Sequence, residues 1–131
     1  VGSASKVIWC DRGWIPYHYG FCPDEAAWKR ETKRLGAPLG DYPVADAMCT
    51  HLTDRKTEDN LTIVTVGHVK RPARIVITLL VHEAMHVWRQ IREEIGEQTP
   101  SSEFEAYTMQ NITLNLIEAY EATRGKLCRG V

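Results

Sequence analysis

Pro72-Ala73-Arg74-Ile75-Val76-Ile77-Thr78-Leu79-Leu80-Val81-His82-Glu83-Ala84-Met85-His86-Val87-Trp88-Arg89-Gln90-Ile91 reads as one long helix. Proline suits a first helical turn, where its missing N–H would have no partner anyway. Gly96 supplies a left-handed stop, so the segment predicts a helix from Pro72 to about Ile95. At about 100° per residue, Ile75, Leu79, Leu80, Val81, Val87, Trp88 and Ile91 cannot share one face. Arg74, Thr78, Arg89 and Arg92 fall in a stripe between about 280° and 340° from His82. A helix apolar nearly all round belongs in the middle of its domain, so this one is expected to be central and buried.

On its C-terminal side, Thr99-Pro100-Ser101-Ser102 is a helix-start signal. The helix it opens runs from about Ser101 to Thr123, ends near Gly125, and carries a stripe of Ala106, Met109, Ile112, Leu116, Ile117 and Tyr120. On its N-terminal side, Val44–Thr53 and Leu61–Val66 predict two strands joined by polar Asp54–Asn60, with Gly67 as the end. Further back, Pro23-Asp24-Glu25 opens a helix that stops at Gly36, and Gly36–Pro43 is loop. Lys6–Trp9 and Trp14–Tyr19 read as short strands about the turn Asp11-Arg12-Gly13. The class is α+β, a short antiparallel sheet with two long helices after it, in one domain over residues 1–131.

Composition bounds the function. The 131 residues are 44% apolar, with 16 basic against 17 acidic side chains. A balanced charge provides no basic field for phosphate backbones, so no nucleic-acid partner is expected. No apolar run approaches the ~20 residues that span a bilayer, and no secretory leader is recognisable, so the expectation is a cytoplasmic protein with no membrane partner. Cys10, Cys22, Cys49 and Cys128 lack Cys-x-x-Cys spacing and are read as reduced core thiols, Cys10 and Cys22 being the best-placed pair if any forms. Most of Trp9, Trp14, Trp28 and Trp88 are read as core. Lys70, Arg71 and Arg74 read as solvated surface, and His18 and His51 have no neighbour at metal-ligand spacing.

The chemistry lies in His82-Glu83-Ala84-Met85-His86. Histidines four apart on a helix differ by only about 40° in direction, so both imidazoles can reach one cation. Glu83 points about 60° to the side of His86, poorly aimed as a further ligand but well placed beside a metal-activated water. Three ionisable groups buried without partners would cost several kcal/mol, and a metal ion would partner all three. A catalytic zinc normally keeps three protein ligands and an open position. The third should come from the start of the last helix, where Glu105 faces the apolar stripe and Glu103 faces solvent. A local role for Glu105 is a capping box with Ser102.

His82-Glu83-x-x-His86, eighteen residues, then Glu105-Ala106-Tyr107-Thr108 resembles the gluzincin metallopeptidases, particularly their aminopeptidase branch. The resemblance covers this stretch alone, and those enzymes are much larger. It implies a small zincin-like domain with His82, His86 and Glu105 as Zn2+ ligands and Glu83 as catalytic base. It also implies a strand before the motif helix that binds extended peptide, a role assigned here to Leu61–Val66. Glu103-x-x-Ala106-Tyr107 is similar to the Glu-x-x-Ala-Asp stretch of other zincins, which would make Glu103 the ligand. Size and motif order also resemble short His-Glu-x-x-His proteins of bacteria and tailed phages. The exopeptidase Gly-rich motif is absent, so aminopeptidase activity is not implied.

The expectation is therefore zinc-dependent hydrolysis of peptide bonds in a peptide or protein substrate. Tyr107, Tyr120, His68 and Tyr42 are candidates for the residue that stabilises the oxyanion, and Asn111 or Gln110 for orienting a ligand histidine. The alternative is a non-catalytic, zinc-stabilised module that binds a protein partner. The presence of Glu83 argues against it, because a structural site needs ligands but no base.

Overall fold

The computed structural model describes residues 5–36 and 40–127. The elements follow in the order β1 (Ile8–Trp9), β2 (His18–Cys22), α1 (Glu25–Leu35), β3 (Ala47–Thr53), β4 (Asn60–Val66), α2 (Ala73–Ile95) and α3 (Ser102–Arg124). This is the expected α+β class. The sheet order is β1-β2-β4-β3, with β2 and β4 parallel and the outer pairs antiparallel. The sheet is thus mixed, not purely antiparallel as expected.

Local chemistry sets most element ends. Asp24 caps α1 by accepting from the Ala27 N–H at 2.9 Å, and Gly36 and Gly96 end α1 and α2 in the left-handed region. β2 begins later than the Trp14–Tyr19 reading, at His18. Pro16 has no N–H to give a sheet ladder, and Ile15 N–H instead bonds Arg12 O in a turn. Gly20 lies where β1 crosses closely: a Cβ there would stand 2.8 Å from both Ile8 O and the Trp9 ring.

Side-chain alternation divides the core. Tyr19, Phe21, Val64 and Val66 face α2 and α3, while Cys22, Leu61 and Ile63 face Ala27, Trp28 and Leu35 of α1. β4 is therefore covered on both faces and paired on both edges, and Leu61–Val66 are all buried. A strand with two partners has no edge left to bind peptide, which overturns the augmentation role assigned to Leu61–Val66. β3, paired on one side only among the described residues, keeps its outer edge.

α2 is not buried all round. Val76, Leu80, Ala84, Val87, Trp88 and Ile91 form its inner face, but Ile75, Val81 and Met85 are exposed, each by about two-fifths. One face against a sheet and one neighbouring helix cannot enclose a whole circumference, and the side bearing His82 and His86 remains open. Trp28 and Trp88 are core, whereas Trp14 is exposed. Cys22 is buried and Cys10 and Cys49 pack against the core as free thiols, while Cys128 lies outside the described residues.

Candidate metal centre

Helical geometry brings His82 and His86 together on the open side of α2. Their Nε2 atoms lie 3.3 Å apart, and the rings meet edge to face. Two nitrogens at ~2.0–2.1 Å from one tetrahedral ion lie roughly 3.3–3.4 Å apart, so the pair already spans one edge of a zinc site.

Glu83 turns inward from the same stretch. It is buried, and among the described residues its Oε2 has no hydrogen-bond partner. Burial pushes its carboxyl above the usual range, opposed by the charges of His82 and His86. Buried carboxylate oxygens are normally paired. An orphan beside two imidazole nitrogens 3.3 Å apart is the donor set a divalent cation would complete. Among the described residues, His82, Glu83 and His86 form a group whose potential ligand atoms all lie within 4.8 Å of one another. This group could hold a divalent metal ion. The burial argument, however, holds for Glu83 alone, since both histidines are exposed.

Neither glutamate of α3 joins this group. Glu105 accepts from the buried Trp88 Nε1–H at 2.7 Å. Trp88 follows His86 by two residues, about 200° round the helix, and its indole N–H holds Glu105 Oε2. Nor does Glu105 close a capping box with Ser102: Ser101 is the cap and accepts from Phe104 N–H. Glu103 is solvated. The remaining candidates are dispersed. Tyr42 and His68 bond each other at 3.0 Å, and Tyr120 is buried against Phe21 and Arg124. Tyr107, Gln110 and Asn111 are exposed on α3.

Sequence reasoning passed over β3. The register opposite β4 sets Ala47, Cys49, His51 and Thr53 on the face that meets α2. Cys49 Sγ donates to the Glu83 carbonyl oxygen at 3.4 Å. His51 Nδ1 lies 2.7 Å from the buried Thr62 hydroxyl, which in turn lies 2.5 Å from the Tyr17 hydroxyl. Burial, and then the neighbouring charge of His86, push the His51 imidazole below its usual range. The signal was the two-residue alternation through Cys49 and His51. Only the sheet order shows that this alternation meets the motif helix.

Compared with known proteins, the chain matches no family model, no curated protein and no solved structure.

Proposed function

We propose that the chain is a zinc-dependent hydrolase acting on peptide bonds of a peptide or protein. The observation behind this reading is the buried, unpartnered Glu83 carboxylate next to two imidazole nitrogens at the spacing of a shared ion. His82 and His86 would hold Zn2+ through Nε2. When bound, the ion supplies a Lewis acid that polarises the scissile carbonyl and makes water nucleophilic at neutral pH. Glu83 accepts the proton of the attacking water and returns it to the departing amine. An extended substrate would lie along the open edge of β3, which runs beside this face of α2. Glu105 keeps Oε2 on the Trp88 indole and lies outside the His82–Glu83–His86 group as it stands.

A cytoplasmic setting belongs to the same proposal. The described cysteines are unpaired, as a reducing compartment would keep them. No described helix is long and apolar enough to cross a membrane.

The test is metal analysis of the purified protein followed by a broad peptide-library digest. One zinc per chain, lost in His82→Ala and His86→Ala, together with cleavage by the loaded wild type, is the expected result. A chain that takes up no zinc, or that binds it and cleaves nothing, overturns the hydrolase. The latter outcome would favour the non-catalytic partner-binding reading, for which exposed Trp14 and Tyr107 speak.

A further inference from the structure

We infer that His51 is a further catalytic residue of this site, a neutral imidazole donating its Nε2–H to the substrate oxygen on which negative charge develops. The inference rests on the hydrolase reading above and extends it to a residue on a different element.

Placement comes first. Cys49 touches Glu83 of α2, and His51 is two residues further along the same face of β3. That step is about 6.8 Å in a strand, and His86 is about 4.5 Å beyond Glu83 in a helix. β3 and α2 run in the same sense here, because His51 and Thr53 line a cavity together with Gln90 and Glu93, which follow His86. His51 therefore stands level with the turn between His86 and Gln90, on the strand whose open edge would bear the substrate. It is also solvent-accessible.

The tautomer is part of the proposal. Tyr17 and Thr62 are both buried, and among the described residues the Thr62 hydroxyl is the partner of Tyr17. Either hydroxyl could donate; because a phenol is the stronger donor and the weaker acceptor, the proton is assigned to Tyr17 O–H, with Thr62 Oγ1 accepting. Thr62 Oγ1 could accept from both neighbours or give its own proton to one; we assign its proton to His51 Nδ1. An Nδ1 that accepts leaves the ring proton on Nε2. In that form Nε2 has no lone pair to give a metal but has a hydrogen to give an oxyanion.

The experiment combines imidazole nitrogen NMR with kinetics. In wild type, His51 should show an acceptor-type Nδ1 and a protonated Nε2, before and after addition of one equivalent of Zn2+, while the His82 and His86 nitrogens move. Thr62→Val should release the tautomer. For a peptide found cleaved in the library digest, His51→Ala should lower kcat about 10²-fold, with KM and zinc content unchanged. Zinc coordination through His51 Nε2, or a ring proton on Nδ1, would overturn the assignment. A cleaving protein whose His51→Ala variant keeps its kcat removes the donor role alone. A wild type that binds zinc and cleaves nothing removes the hydrolase reading and the donor role with it.

Discussion

Glu83 and Glu105 are both carboxylates partly or wholly withdrawn from water beside α2, and their surroundings give them opposite tasks. Glu83 lacks a partner for Oε2, so its burial is a standing cost unless the site uses it. Glu83→Gln keeps the shape and removes the base. It is expected to retain zinc and fold while losing about 10²–10⁴-fold in turnover; undiminished turnover would remove Glu83 from the reaction. Glu105 instead satisfies a buried indole. Glu105→Ala should lower stability by about 1–3 kcal/mol, the cost of an unpaired buried donor, and leave zinc affinity where it was. Urea melts and a zinc titration on the same variant check both halves, and a large loss of affinity would return the ligand role to Glu105.

At the scale of elements, the end signals act locally and can be isolated. Asp24 holds the start of α1, and the Ser5 hydroxyl keeps its carboxyl below the usual range, burial working against this and the Ala27 N–H with it. A carboxylate whose folded pKa is depressed stabilises fully above its unfolded value, near 3.9, and the contribution is lost as pH falls through the folded value. Asp24→Ala should therefore cost about 0.5–2 kcal/mol at pH 7, and the gap to wild type should narrow at a pH below about 3.9. Denaturant titrations at the two pH values measure this. The glycine stops at Gly36 and Gly96 were legible in the sequence, as were the β3–β4 hairpin and the two long helices, because each depends on residues a few positions apart. Strand order, the open side of α2, the Glu105–Trp88 bond and the approach of His51 were not legible. They depend on which elements meet, and Trp88 acquires its meaning only from a partner on another helix.

Taken whole, the molecule joins its long helices through protein contacts of its own. Both imidazoles belong to α2, and α3 is fastened through the shared core, the Glu105 contact and the bonds from Arg124 to Val66 O and Gly67 O. Chelation should accordingly leave the far-ultraviolet circular dichroism spectrum unchanged. It should lower Tm only by the mass-action contribution of the bound ion, about 2.7 kcal/mol when free zinc stands at 100 times Kd. A chain that unfolds in EDTA would mean that the ion bridges elements after all.

The strand order also bears on how the chain reaches this state. β3 and β4 close a short hairpin, whereas β2 must wait for β4 across α1 and the whole hairpin before Tyr19 can lie beside Thr62. Loop-closure entropy falls on that parallel pairing. The hairpin with α2 docked on it is thus the natural nucleus, and β1–β2 would zip on last. Since Tyr17 comes with β2, its buried contact to Thr62 is a late arrival, and an early folding species would carry His51 without its relay.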